Sequence, residues 1–596
     1  MPSVLKIFSP PESPVLSLEV QARMVQKEIT RMNRFVVLTR HFFDRFFDNP
    51  MTSADGDDGV RVIQVLCAIA VPGLMVALSL IPSYFIFPPN TAPRGYWPRV
   101  SDHYFYVMYA SVVTGVVTVF EWDLLFPDLL DVLVLAPLPV PARKLFSAKI
   151  AALGWFLALF LIASMFFGAV FLPLIAEEPS LFRHVIAHIV AVAAGGLFFA
   201  AFFLALQGIL LNLLGEKIFR WISPVLQVLS LAALLIVLFL FPLLSGNLRL
   251  LLLADDRVAM WFPPFWFLGV YQSLLEGSAA PHVFHSLAAI GGCALATVLA
   301  LAILTYPLAY RRKFRAAIEG RIAKNSRNWL AAPKDALLHA TFILRPSQRA
   351  VYHFISQTLK RAPHHRVYLA MYGGAGLALL IAATIEFRPH GGQLSIVYSE
   401  HGLRSAIPVV AFLAVSGLKV AFLSPVELKA NWPFHVIGSR PDSDHIAATL
   451  RWMLPRAIFM TVAVLLLAKM LSPSVFPGLR QMAGQLLVAQ GLCLLLIDAL
   501  FLHFLSVPFT VPLMYSKRNL IFYLAAFLML FGPFVETVVG IGRWIEQSPW
   551  HFFVAALLVL AAHLLLQWQQ RNAIRERTAL PEDDEAEEFP QRLGLS

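Results

Sequence analysis

Charge and cysteine are both scarce in this 596-residue chain. Only 14% of its residues are Asp, Glu, Lys or Arg, against roughly 25% in soluble domains, so most of the chain is not built to face water. Its three cysteines, Cys67, Cys293 and Cys493, fall far apart inside apolar stretches. That spacing argues against a CxxC redox or zinc motif and suits small apolar fillers of helix interfaces. A G-x-x-x-x-G-K-[ST] loop is absent, so nothing here cradles nucleotide phosphates in the usual way. Neither H-E-x-x-H, G-x-S-x-G nor a paired-carboxylate motif stands out, which leaves a membrane hydrolase without support. Acidic residues are outnumbered, and the net charge is +11. With no folded basic domain to carry it, that excess fits anionic lipid headgroups and not nucleic acid.

Hydrophobic residues make up 58% of the chain. About 20 apolar residues in helix cross a bilayer core roughly 30 Å thick. Twelve stretches qualify, near 62–88, 103–123, 149–176, 184–213, 221–245, 283–310, 367–387, 404–424, 452–472, 481–508, 519–541 and 549–568. Most Lys and Arg fall in the segments that are cytoplasmic if the N-terminus is inside. The bias predicts both termini in the cytoplasm of a multi-pass plasma-membrane protein, or of the inner membrane if the source is Gram-negative. The first sixty residues read as polar and amphipathic, not as a cleavable signal peptide.

A basic stretch, 311–366, divides the spans six and six. The fold class expected is therefore all-α: a polytopic membrane protein with about twelve transmembrane helices as a 6+6 tandem repeat. The expected domains are an N-terminal amphipathic region 1–61, transmembrane half one 62–310, a basic linker 311–366 with an amphipathic helix, transmembrane half two 367–570 and an acidic tail 571–596. The tail reads as a solvated end. Each half opens with an amphipathic cytoplasmic segment, Val15 to Phe47 and Leu337 to Leu359. Each would lie along the inner membrane surface or pack on another part of the protein.

The segment Glu121 to Lys149, EWDLLFPDLLDVLVLAPLPVPARKLFSAK, joins the second and third spans but is too polar and too proline-broken to be a span. It has a partial counterpart at Ser424 to Arg451. Both leave the membrane through Gly-x-x-x-x-Phe, with Gly115 and Phe120 in the first case and Gly417 and Phe422 in the second. Both then show an acidic turn with Trp, a short apolar run, a proline break and a new helix. Pro137, Pro139 and Pro141 stiffen the first copy, because proline fixes φ and restricts its neighbour. Arg143 and Lys144 suit acidic groups on a partner, and Leu138, Val140, Leu145 and Phe146 suit an apolar groove. The competing reading is a solvated loop against lipid.

At these residues the chain resembles the permease subunits of type-2 ABC exporters. Leu133, Pro137, Leu138, Pro139, Leu145 and Lys149 carry a proline-containing pattern similar to that family's coupling helix. The segment WFPPFWFLGVYQSLLEG, with Trp261, Pro263, Pro264 and Trp266, is similar to its external Pro-Pro-aromatic element. The amphipathic segments are similar to its interfacial connecting helices. In half two the coupling loop, with Asn431, Trp432, Arg440 and Asp442, lacks equivalents of Pro139 and Lys149. The resemblance implies the membrane-spanning subunit of an ATP-driven exporter, not itself an enzyme. It would be powered by cytoplasmic ATPase subunits, two copies, which bind ATP and Mg; this chain would carry no cofactor.

Rival readings rest on other residues. Charges inside spans are functional suspects. Asp498 is the most central, with His503 as a relay partner or Lys419 as a structural one; Lys419 can also snorkel. A twelve-span ion-coupled secondary transporter would use such groups, although its G-x-x-x-D-R-x-G-R-[RK] signature is missing. A non-transport membrane scaffold or enzyme is the third option. His184 and His188 share one helix face and suit a metal or an ordinary polar cluster, the better reading. Gly373, Gly374 and Gly376 suit close helix packing.

Overall fold

The computed structural model describes residues 34–47, 58–85, 94–122, 124–126, 140–175, 180–253, 260–318, 343, 345–390, 393–424, 443–502, 504, 507–510 and 520–579. Among them the protein is an all-α polytopic membrane protein. Ten helices are long and apolar enough to cross a bilayer, and Tyr368–Thr384 is a shorter apolar helix.

The elements are α1 (Arg34–Phe47), α2 (Asp58–Phe85), α3 (Tyr96–Phe120), α4 (Ala142–Ile175), α5 (Leu181–Phe239), α6 (Phe241–Gly246), α7 (Leu248–Leu253), α8 (Pro263–Glu276) and α9 (His282–Ile318). They continue with α10 (Pro346–Arg361), α11 (Pro363–Thr384), β1 (Ile385–His390), β2 (Gln393–Tyr398), α12 (Glu400–Leu423), α13 (Ser443–Leu471), α14 (Leu479–Leu500), α15 (Leu520–Gln547) and α16 (Pro549–Ala579). The two strands form an antiparallel hairpin in which Ile385 pairs with Tyr398 and His390 with Gln393. The apolar-run reading did not anticipate it, because a hairpin between spans leaves no helical period.

The chain divides into two compact units, Met1–Glu216 with Met260–Ile322, and Lys217–Ala259 with Ala323–Ser596. The division falls inside α5, where the backbone leaves the helical region at Gly215 (φ 72, ψ 168). Glycine takes that conformation without a Cβ clash.

In unit 1, α3 is the central helix. Of its apolar window 78% is buried against protein, compared with 17% for α2. It packs on α4 and α8, and Gly195 and Gly196 of α5 approach it closely. A Cβ at 195 would sit 2.6 Å from Ser111 Oγ, and one at 196 would sit 2.9 Å from Thr114 Oγ1. Small residues let helices meet where lipid gives no hydrophobic drive to associate. The hydroxyls of Ser111, Thr114 and Thr118 donate to the carbonyls of Val107, Ala110 and Thr114, so these three hydroxyls need no water.

In unit 2 the buried helix is α12, whose window is 61% buried, against 6% for α16. It packs on α11, α13, α14 and α15. Ser399 caps its start by accepting from the Gly402 amide at 3.3 Å. Gly374 of α11 lies against Leu231 and Ala232, the close packing its small size suggests.

The two amphipathic helices pack on the protein. Phe42 and Phe46 of α1 are buried, Phe46 stacking on Phe156 of α4 at 5.0 Å. Val351, Ile355 and Leu359 of α10 are buried with Trp452 and Met453 of α13, and Trp452 donates its indole N–H to Ser356 Oγ at 2.8 Å. Arg345, Ser347 and Gln348 all bond the Asp444 carboxylate at the start of α13. In both units the amphipathic helix thus rests on the helix that follows the loop after α3 or α12.

Candidate functional site

Buried backbone carbonyls need donors. In the turns that follow α3 three of them find side-chain donors, each on a different element. Gln207 of α5 donates Nε2 to the Trp122 carbonyl at 2.9 Å. Tyr306 of α9 donates its hydroxyl to the Leu125 carbonyl. Lys149 of α4 donates Nζ to the Phe126 carbonyl at 2.8 Å. Lys149 is only 5% exposed, and its ammonium also sits 5.5 Å over the Phe42 ring of α1. Trp122, Leu125 and Phe126 are buried. The exit from α3 is thereby tied to α1, α4, α5 and α9. Glu121, the first residue beyond the helix, is buried too, and burial pushes its carboxyl up to about 8.

The exit from α12 is tied as well, by other means. His365 of α11 bonds the Ser424 carbonyl at 2.8 Å through Nε2, and the Phe509 amide donates to the Phe422 carbonyl at 2.9 Å. Trp122 and Ser424 stand at the same offset from Gly115 and Gly417, so equivalent carbonyls receive a side-chain donor.

The starts of these helices match in the same register. Asp102 and Arg404 share one offset from the same glycines. Arg94 binds Asp102 bidentately, at 2.8 Å for both bonds, and Tyr84 adds a third bond at 2.9 Å. Arg404 donates to both oxygens of Glu546 at 2.8 and 2.9 Å, to the Val475 carbonyl at 2.9 Å, and lies 5.1 Å over the Phe476 ring. A charge buried in the membrane must be paired in this way.

Of the loop residues read from sequence, Pro137, Leu138 and Pro139 lie outside the described residues, as do Asn431, Trp432, Arg440 and Asp442 of the second copy. Val140 is half-buried, and Arg143 and Lys144 are exposed. Leu145 and Lys149 are buried; they hold the loop to the unit and do not face out. Trp261 is exposed, Pro263 begins α8 and Pro264 is buried. Trp266 donates its indole to the Met260 carbonyl at 2.6 Å.

Asp498 pairs with His563 of α16, Nδ1 to Oδ2 at 2.5 Å, and not with Lys419. Lys419 is half-buried; His503 lies outside the described residues. His184 and His188 join His103 and Tyr271 in an aromatic cluster. Among the described residues no three His, Cys, Asp or Glu side chains are grouped to hold a metal.

Gln207, Tyr306, His365, the Asp102–Arg94 pair and the Arg404–Glu546 pair escaped the sequence reading. Extending the Gly-x-x-x-x-Phe alignment backwards to Asp102 and Arg404 would have found two of them. The chain matches no known family, no curated protein and no solved structure.

Proposed function

We propose that this chain is the membrane-spanning permease of an ATP-driven exporter, with separate cytoplasmic ATPase subunits gripping the loops that follow α3 and α12. The observation that carries this reading is the exit from α3. An ATPase moves helices only through an element fixed to them. Here Gln207, Tyr306 and Lys149 tie the loop carbonyls of Trp122, Leu125 and Phe126 to three helices. Arg143 and Lys144, six and five residues before Lys149 on the same helix, are exposed. A push at those cations would reach the end of α3, the most buried span of the unit among the described residues, through α4 and the Lys149 bond. ATP and Mg belong to the partner; the chain contributes the lever and the path. The cytoplasmic placement of both loops, and of both termini in a plasma membrane, follows from the Lys and Arg bias.

The test is purification of the full chain with its native partners. Wild type should co-elute with an ATPase, and Arg143→Glu with Lys144→Glu should lose it while keeping the wild-type thermal midpoint. Leu145 is left alone, since its burial would confuse folding with docking. Equal ATPase recovery from the double variant sinks the lever.

A second reading has one observation in its favour. The Asp498–His563 pair places a titratable carboxylate and an imidazole in contact between two membrane helices, as an ion-coupled transporter requires. Asp498→Asn would then abolish proton- or sodium-driven uptake, whereas under the first reading ATP-driven transport survives it.

A further inference from the structure

At the end of unit 1 remote from the Glu121 loop lies a cavity of about 340 Å³, walled by the start of α3, the start of α5 and the end of α8. Its lining carries more polar chemistry than a packing defect would. Gln272 is fully buried. Its Nε2 is 2.8 Å from His103 Nδ1, while its Oε1 has no hydrogen-bond partner among the described residues. A buried amide oxygen left unmet costs about 1–3 kcal/mol, and such a group calls for an explanation.

Charged groups converge on the same space. Arg99 and Arg183 both line it. Arg183 donates Nε to the Leu274 carbonyl at 2.9 Å, and among the described residues its remaining N–H groups stay available. The chain makes room for that guanidinium. Gly277 ends α8 at φ 63, and a Cβ there would sit 2.7 Å from Arg183 Nη2. Glu276 also lines the cavity, with Oε2 accepting from the Tyr96 hydroxyl at 3.0 Å. The walls therefore offer two guanidinium groups for an oxyanion, and a carboxylate and an amide oxygen for a donor. Guanidinium groups suit phosphate and carboxylate oxygens geometrically.

We propose that this cavity binds a small zwitterion, its oxyanion held by Arg99 and Arg183 and its ammonium by Gln272 Oε1 and Glu276. The ligand is either a free solute or the headgroup of an amino-phospholipid, which present the same chemistry. The site lies within one unit, and its occupancy is measured on the chain alone, so failure here leaves the ATPase reading untouched.

The experiment uses the purified full chain in two arms. In detergent, phosphoethanolamine is titrated by calorimetry, with inorganic phosphate as the control. In nanodiscs of phosphatidylcholine with phosphatidylethanolamine, lipid retained per chain is counted by native mass spectrometry. One arm should show saturable binding of one ligand per chain. Binding in the first arm identifies a solute site, and retention in the second alone identifies a lipid headgroup site. Arg99→Ala, at an exposed position, should weaken that binding at least tenfold, as should Gln272→Leu. Should Gln272→Leu fail to fold, Arg99→Ala decides. The proposal is overturned if neither probe binds saturably, if Arg99→Ala binds like wild type, or if inorganic phosphate binds as tightly as phosphoethanolamine.

Discussion

The helices α3 and α12 are the most buried spans of their units among the described residues, and they meet the same two demands with different residues. Near the start, α3 carries the acid of a buried ion pair, Asp102 with Arg94; α12 carries the base, Arg404 with Glu546. Just beyond its end, the chain leaving α3 gives carbonyls to a lysine, a glutamine and a tyrosine, and the end of α12 gives its own to a histidine and a backbone amide. What both positions require is neutralised charge and satisfied carbonyls in a medium without water. The residue that supplies them is free to differ, even to change sign. Half two therefore lacks a counterpart of Lys149 in sequence while its helix exit is nonetheless held.

The comparison breaks most visibly at the ion pairs. Arg404 is 8% exposed and Glu546 11%, whereas Arg94 is 22% exposed. Removing one partner of a buried pair costs about 3–5 kcal/mol, so Arg404→Met should lower the thermal midpoint strongly. Asp102→Asn leaves behind the more exposed Arg94 and should lower it less. The reverse order would refute the assignment of unit 2 as the more tightly paired. Adding Glu546→Gln to Arg404→Met should recover part of the loss.

The helix exits come next. Lys149→Met strands the Phe126 carbonyl at a cost of about 1–3 kcal/mol. Amide exchange across 124–126 should then quicken about tenfold or more, since about 1.4 kcal/mol is a factor of ten. His365→Phe removes an imidazole in place of an ammonium from its carbonyl, and its effect around Ser424 should be smaller, about 1 kcal/mol. Equal acceleration at both exits would mean that the lysine holds its loop no more firmly than the histidine.

A pH effect should separate the exits further. The buried Glu121 carboxyl is raised from 4.5 to about 8. An acid whose folded pKa is raised binds its proton more tightly in the folded state, so unit 1 loses stability as pH climbs from 4.5 toward 8. Glu121→Gln should flatten that part of the pH–stability curve. An unchanged slope would place the titration elsewhere. The smallest effect is expected at Trp261, which is 82% exposed. Trp261→Ala should move stability by no more than about 0.5 kcal/mol, and a larger drop would show that its ring is packed.

Much of the fold was legible because apolar length is a blunt signal. The stretches read at 62–88 and 404–424 appear as Val62–Tyr84 and Glu400–Leu423, their ends shifted where a cap such as Ser399 overrides hydropathy. The amphipathic segments were recognisable, but not where they rest. An apolar face at helical spacing suits lipid and protein equally, and only the stacking of Phe46 on Phe156 and the bond from Trp452 to Ser356 decide it. Lys149 belongs to the coupling-helix pattern, and its charge turns inward to a carbonyl 23 residues earlier. Exposure of a cation in a polar loop is the usual expectation, and a helix end short of donors reverses it. Gln207, Tyr306 and His365 were illegible because each acts on a backbone group far away in sequence, which leaves no local pattern.

The central claim is that the exposed cations after α3 face an ATPase. A photo-crosslinking amino acid placed at Arg143, in the full chain in its native membrane, tests this most directly, with position 261 as the control. The account predicts an adduct from position 143 whose partner carries a G-x-x-x-x-G-K-[ST] loop, and none from position 261. No such adduct from 143, or the same adduct from both positions, would contradict it.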